Sequence, residues 1–333
     1  MSNRPVLLKV IYDKIKHCDS YKLKKKFMLT TIIIILGLIV FEVVSSVDNA
    51  IINAHILKTM SAKWRKIFLF WGILTAVFII RGILPFLVVW ASVPEIGFSG
   101  AFQSVIHSSP EVANLLDERK GIILIGAGIF LLLIYLHWLF LEKKDPYFVP
   151  DKLIKPHHGV WFFALTAVIL VTLLYLARFS VLLMLAAAIG NAVFFIMYGF
   201  REQAAKQEEA LHDKKNNLSD FSKLMYLEVL DASFSVDGVL GAFAFTTAIP
   251  LIFIGNGIGA LVVRQLTIAG IEKVSKYKWL KNGAMTSIGI LGIFMILESF
   301  RIDIPEYFPT ITTIGFVGLT FWKSHKLLKQ NAH

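Results

Sequence analysis

Residues 41–50 read FEVVSSVDNA and lie inside an apolar stretch, 28–57, that is long enough to cross a bilayer. A second segment, 227–241, reads LEVLDASFSVDGVLG and lies inside the apolar stretch 222–247. An ionised side chain at the centre of a membrane helix costs about 2.5–3.5 kcal/mol on insertion scales, so acidic residues there are candidates for function. The two segments therefore indicate a membrane protein that carries an acidic site at membrane depth.

The composition of the chain supports this class. Of its 333 residues, 56% are apolar and 17% charged, against roughly 45–50% and 25% in soluble proteins. We expect an all-α polytopic protein with about nine transmembrane helices, preceded by a basic tail (1–26) that is either free or an amphipathic helix, and forming one transmembrane domain (27–327). The predicted spans are 28–57, 67–91, 121–141, 159–177, 179–199, 222–247, 249–271, 282–300 and 307–322.

The loop charges predict how the chain is oriented. With nine spans, the loops and the C-terminal tail on one face hold nineteen Lys or Arg residues, and the loops on the other face hold four. The positive-inside rule then places the C-terminus in the cytoplasm of a multi-pass cell-membrane protein. The N-terminus would lie outside, although its tail carries eight Lys or Arg residues; either this tail lies on the membrane surface or the span count is off by one. Since the net charge of +11 is distributed between spans, we expect no nucleic-acid partner.

The two acidic segments are related to each other. Ser46-Val47-Asp48 matches Ser235-Val236-Asp237, and in each copy a Gly and an Arg nine residues apart follow in the next span (Gly72 and Arg81, Gly255 and Arg264). Because the copies begin five spans apart, they enter the membrane from opposite faces. We therefore predict inverted repeats, 27–141 and 222–327, joined by linking helices at 159–199. This is the architecture of many secondary transporters.

Helical phase predicts interruptions in both acidic spans. On a straight helix, the side chain of Asp48 projects from a different face than that of Glu42, and the side chain of Asp237 projects nearly opposite that of Glu228. Unwinding at Ser45–Asn49 and at Ser235–Gly238 would turn both Asp side chains into one cavity and would free backbone carbonyls as ligands. The alternative is that the acids merely neutralise the two basic residues well inside spans, Arg81 and Arg264. That alternative accounts for two of five acids.

These motifs resemble those of the TerC family, membrane proteins named for tellurium resistance. The likeness rests on Glu-x5-Asp-Asn in the first repeat, Glu-x2-Asp-x5-Asp in the second and the Gly-x8-Arg spans that follow. It implies the fold of the LysE-type transporter superfamily and activity as a manganese exporter. Gly238 departs from the family, whose members often carry Ser there. The ligands that the resemblance implies are Glu42, Asp48, Asn49, Glu228, Asp231 and Asp237, and we assign supporting or gating roles to Ser45, Ser46, Ser235, Arg81 and Arg264.

The candidate ligands are all oxygen atoms, which suits Mn²⁺, Ca²⁺ and Mg²⁺ better than Zn²⁺ or Cu⁺. Mg²⁺ loses water reluctantly, and the resemblance favours Mn²⁺ over Ca²⁺. The sequence contains neither a zinc-protease motif nor a phosphate-binding loop, so we predict a secondary transporter rather than an enzyme, with no prosthetic group. Two alternatives stay open: a non-transporting membrane partner in a metal-stress or tellurite-resistance complex, and an exporter of small organic cations or amino acids.

The expected partners are the metal ion and the lipid bilayer, with a homo-oligomer left open. Gly255 and Gly259 form a small-x3-small pattern. We expect it to pack its span within the bundle rather than against a second copy.

Overall fold

The computed structural model describes residues 25, 28–72, 75, 81–106, 110–154, 159–212, 219–270 and 276–330. All but one residue of the predicted basic tail, Lys25, lie outside this part. Within it every regular element is helical and no strand occurs, which confirms the all-α prediction. The helices are α1 (Met28–Ser45), α2 (Val47–Lys58), α3 (Ala62–Ile67), α4 (Arg81–Ser92), α5 (Gly97–Ile106), α6 (Pro110–Leu141), α7 (Val149–Leu153), α8 (Gly159–Leu176), α9 (Val181–His212), α10 (Asp220–Ala242), α11 (Ile249–Gly270), α12 (Leu280–Ser299) and α13 (Phe308–Gln330).

Six segments of the described chain are long and apolar enough to cross a membrane: Met28–Ser45, Asp117–Leu141, Gly159–Leu176, Val181–Gln203, Ile249–Ile268 and Leu280–Ser299. The chain is therefore a multi-pass membrane protein. Helices α10 and α13, at 23 residues each, are also long enough to cross but are less apolar. The remaining predicted span, 67–91, lies partly outside the described residues, so the count of nine stays a prediction.

Contacts between helix ends agree with the predicted alternation of the chain. On the face with the basic loops, the Ser61 hydroxyl donates to the Asp220 carboxylate at 2.6 Å, and Lys281 Nζ lies 2.7 Å from Glu142 Oε2. On the opposite face, Lys120 Nζ lies 2.5 Å from Glu298 Oε1. If successive spans cross the membrane in alternating directions, each of these contacts joins two helix ends on the same face. Which face is cytoplasmic, and whether 27–141 and 222–327 are inverted repeats, stay predictions.

Several helices extend further than the apolar stretches that predicted them. The polar segment 92–120, expected to be a loop, contains α5 and the first turns of α6, and α9 continues to His212. Helix α5 folds back on α4, where the rings of Phe86 and Phe98 lie 5.0 Å apart. Hydropathy marks where a helix leaves the hydrocarbon, whereas backbone hydrogen bonds continue the helix into the polar region.

The unwinding predicted at Ser45–Asn49 is reduced to a single residue, and the one predicted at Ser235–Gly238 is absent. Between α1 and α2 the helix is broken at Ser46, although the bonds from Ser46 N to Glu42 O (3.1 Å) and from Ala50 N to Ser46 O (2.9 Å) persist. Helix α10 runs unbroken through Ser235–Gly238, so the second interruption was predicted wrongly. The Ser235 hydroxyl donates to the Asp231 carbonyl one turn earlier, at 2.8 Å, and this bond is compatible with a continuous helix.

Glycines bring α1 close to α10 and α11. A Cβ atom at Gly255 would lie 2.5 Å from Leu38 Cβ, one at Gly259 would lie 2.6 Å from Glu42 Cβ, and one at Gly241 would overlap the ring of Phe41. No larger residue fits at these positions without a shift of the helices. The expectation that Gly255 and Gly259 pack within the bundle is confirmed, and the packing encloses Glu42.

Candidate cation site

Glu42 lies where α1, α4, α10 and α11 meet, and its exposed fraction is 0%. Its Oε1 atom accepts a hydrogen bond from the Ser46 hydroxyl at 2.7 Å and forms an ion pair with Arg81, which is also buried. The other oxygen, Oε2, has no hydrogen-bond donor among the described residues and faces Gly238. Arg81 therefore neutralises one site acid, as the structural alternative expected, and leaves one oxygen of that acid unsatisfied.

A small cavity of about 40 Å³ lies beside this pair. The Asn49 amide of α2 donates a hydrogen bond to Asp231 Oδ1 of α10 across it. The Oδ1 atoms of Asn49 and of Asn53, one turn further along α2, lack donors within the described chain. A space of this size accommodates only one or a few water-sized bodies. Its polar lining consists of Ser46, Asn49, Asn53, Arg81, Asp231, Arg264 and Thr267.

Asp237 lies on another side of α10 and lines a second, larger cavity of about 530 Å³. It is 8% exposed, and its Oδ2 atom lies 2.6 Å from Arg201 Nη2 of α9. Arg201 also donates to the Ser233 carbonyl at 3.3 Å and lies over the ring of Phe234 at 4.5 Å. Positions 231 and 237 of an unbroken helix point in different directions, so the continuity of α10 places the two aspartates in separate cavities.

The structure brings some predicted ligands together and separates others. Asn49 and Asp231 share the small cavity, and Glu42 is near enough to both Asp231 and Asp237 for the like charges of the carboxylates to repel each other. Glu228 is half-buried, and neither of its carboxylate oxygens has a donor among the residues that the structure describes, but it lines neither cavity. Asp48 belongs to α2, and its side chain lies outside the described part. Where side chains are described, no three Asp, Glu, His or Cys residues lie close enough together to hold a metal. The six-residue shell stays a prediction.

The supporting residues have identifiable contacts. Ser45 donates to the Glu42 carbonyl at 3.2 Å and lines the second cavity. Ser46 and Arg81 bind Glu42, and Ser235 donates to the Asp231 carbonyl. Arg264 lines the small cavity, and its Nε atom has no hydrogen-bond acceptor in the described chain.

Three residues of this region were not identified from the sequence. Asn53 follows Asn49 by four residues, so helical spacing could have indicated it. Asn256 is buried, donates to the Gly238 carbonyl at 3.1 Å and follows Gly255 of the repeated motif directly. Arg201 was counted among the loop charges, because it comes just after an apolar stretch and no pattern relates it to Asp237.

The sequence model of one family matches residues 47–331, which is most of the chain and includes α10 and both aspartates. The chain belongs to the DUF475 family. That family is described as one of unknown function. The match between the family model and this DUF475 protein begins just after Ser46.

Two curated relatives match shorter segments of this DUF475 protein. The uncharacterized membrane protein YceF of Bacillus subtilis is 30% identical over 121 residues, which cover 34% of this chain and 47% of the relative. The uncharacterized membrane protein RP786 of Rickettsia prowazekii is 28% identical over 106 residues, covering 31% of this chain and 35% of the relative. The matched segment thus spans about half of the first relative and about a third of the second. No solved structure matches the chain.

Proposed function

We propose that this protein is a secondary transporter that exports a divalent metal cation, above all Mn²⁺, across the cytoplasmic membrane. The proposal rests on a set of buried acceptor oxygens without donors in the described chain. A buried acceptor without a partner costs about 1–3 kcal/mol, and a bound cation removes that cost. In the predicted site and next to it, these oxygens are Glu42 Oε2, Asn49 Oδ1, Asn53 Oδ1, Glu228 Oε1 and Oε2, Asp237 Oδ1 and Asn256 Oδ1.

The chemistry of these oxygens supports the choice of metal. Carboxylate and amide oxygens are hard ligands that suit Mn²⁺, Ca²⁺ and Mg²⁺. The small cavity of about 40 Å³ holds an ion only after most of its water is lost. This requirement disfavours Mg²⁺, which dehydrates reluctantly. The resemblance to the TerC family then favours Mn²⁺ over Ca²⁺ and export over uptake.

The proposed ligand shell carries more acids than there are basic residues to neutralise them. Arg81 forms an ion pair with Glu42, and Arg201 forms one with Asp237. Asp231 and Arg264 both line the small cavity and balance each other in formal charge. The two remaining acids of the proposed shell, Asp48 and Glu228, add a formal charge of −2, which a divalent ion balances. Balanced charge lowers the cost of an ion at membrane depth.

The test is Mn²⁺ flux in proteoliposomes that contain only the purified protein, with and without a proton gradient. We expect flux in the wild type, and we expect Asp48→Asn, Asp231→Asn and Asp237→Asn to abolish it, because each keeps side-chain size and removes a ligand charge. Asp303→Asn is the matched control, since Asp303 is exposed in the connection between α12 and α13. Competition by Ca²⁺, Mg²⁺ and Zn²⁺ measures selectivity.

Two results would contradict the proposal. If the Asp48→Asn, Asp237→Asn double variant shows wild-type flux, the assignment of these two residues as metal ligands is wrong. Absence of metal movement by folded wild-type protein would instead favour the non-transporting membrane partner, in which the acids are regulatory or structural.

A further inference from the structure

The second cavity extends from the edge of the bundle to Asp237. At its outer end, Glu142 and Lys281 form an ion pair, and their side chains are 34% and 38% exposed. His137 lies beside them, with its Nδ1 atom 3.6 Å from Glu142 Oε1. Asp237, which is buried, lines the same cavity together with Arg201, whose side chain is 25% exposed. The outer end lies on the face with the basic loops, which the positive-inside rule assigns to the cytoplasm.

The two cavities differ in what they can hold. One water molecule needs at least about 10–15 Å³ of cavity, so a divalent ion with six water molecules needs on the order of 60–90 Å³ or more. The second cavity, at about 530 Å³, is large enough for such a hydrated ion, and the small cavity, at about 40 Å³, is not. A cation that enters from the basic face would therefore meet Asp237 while still hydrated.

The pair between Arg201 and Asp237 is incompletely satisfied. A single guanidinium nitrogen binds a single carboxylate oxygen, at 2.6 Å. Within the described chain, Asp237 Oδ1 has no donor and Arg201 Nε has no acceptor. An Arg–carboxylate pair in the two-bond fork arrangement would be stronger and more firmly oriented. The ring of Phe234, 4.5 Å from the guanidinium, provides Arg201 with a second contact that does not involve Asp237.

We propose that the second cavity is the vestibule through which the cargo cation reaches Asp237, and that Arg201 is the gate. Arg201 occupies the Asp237 carboxylate when no cation is present, and a divalent cation displaces it. Arg201 and the cation compete for Asp237, because both are positive and Arg201 neutralises the carboxylate charge that would attract the ion. This inference rests on the proposed function and assigns a role to a residue outside the predicted site.

The test is Mn²⁺ binding to purified protein in detergent, measured by the loss of the electron paramagnetic resonance signal of free Mn²⁺. Arg201→Gln removes the competing charge, so we expect the Kd for Mn²⁺ to fall about tenfold, while transport in proteoliposomes slows because nothing displaces the bound ion. Arg201→Lys keeps the charge and should stay close to the wild-type Kd. Arg178→Gln is the matched control, since Arg178 is exposed and lies over the ring of Tyr175.

A double variant, Arg201→Gln with Asp237→Asn, separates gating from a change in folding. We expect it to lose the tighter binding, because the carboxylate that the gate exposes is gone. An unchanged Kd in folded Arg201→Gln, with Mn²⁺ binding intact in the wild type, would overturn the gate and leave the proposed function standing. Failure of the wild type to bind Mn²⁺ would overturn both.

Discussion

Replacement of Gly238 by Ala would disturb the Glu42 carboxylate directly. The added methyl carbon would lie 2.5 Å from Glu42 Oε2 and 3.4 Å from Arg81 Nη1. Since ordinary contact requires about 3.5 Å, the oxygen would have to move by about 1 Å. It has little freedom to do so, because Oε1 is bound by Ser46 and Arg81, and the aliphatic part of Glu42 packs against Gly259.

The expected magnitude combines two opposing effects. Overpacking costs about 1–3 kcal/mol, and the better helix propensity of Ala over Gly contributes about 1 kcal/mol in the other direction. Gly257→Ala on α11 is the matched control, because a Cβ atom there meets nothing within 4 Å and only the propensity gain remains. The free energy of unfolding of Gly238→Ala should therefore be about 1–3 kcal/mol below that of Gly257→Ala.

The assay is thermal unfolding of both variants in the same detergent, followed by intrinsic fluorescence. For a chain of this length the difference corresponds to about 1–4 °C in apparent Tm. If Gly238→Ala melts at the temperature of Gly257→Ala or above it, the close approach of α10 to Glu42 is refuted. Mn²⁺ binding should weaken in Gly238→Ala alone, because only that variant moves a candidate ligand.

Two further predictions concern the ion pairs. Burial raises the pKa of Glu142, but the neighbouring His137 imidazole and the Lys281 ammonium, which donates a hydrogen bond at 2.7 Å, outweigh burial and lower the pKa from 4.5 to about 2. Ionised Glu142 thus stabilises the fold above pH 4.5, and apparent Tm should fall as pH decreases from about 5 towards 2, less so in Glu142→Gln. Separately, Arg81→Gln leaves a buried unpaired charge on Glu42 and should lower the free energy of unfolding by about 3–5 kcal/mol. In a double-mutant cycle, adding Glu42→Gln should recover most of this loss. If the double variant recovers nothing, the two residues are not coupled.

The helical class and the acidic region could be predicted because each depends on local sequence. Apolar stretches report membrane burial directly, and six described helices confirm that class. Glu42 and Asp237 were selected because charge at membrane depth is costly, and both are buried. The Arg81 pair was foreseeable for the same reason, since a buried Arg requires an acid.

The rest could not be predicted because it depends on the phase and packing of distant helices. Helix α10 is continuous through Ser235, and this continuity decides which way Asp237 points. Its partner Arg201 lies 36 residues earlier and is brought to it only by the packing of α9 on α10. The hydropathy pattern placed Arg201 in a loop, because hydropathy describes each residue by itself and contains no information on contacts between distant residues.

The continuity of α10 also changes what a transport cycle has to accomplish. With one shared cavity, a single rearrangement could expose all the ligands together. With Asp231 and Asp237 on different sides of the same helix, a cation must instead pass from a cavity of about 530 Å³ to one of about 40 Å³ and lose its water on the way. Glu42 packs between Gly238 of α10 and Gly259 of α11, and the repulsion between its carboxylate and those of both aspartates would be relieved by a bound cation. In the proposed transporter it is therefore the carboxylate best placed to stabilise the ion during that passage.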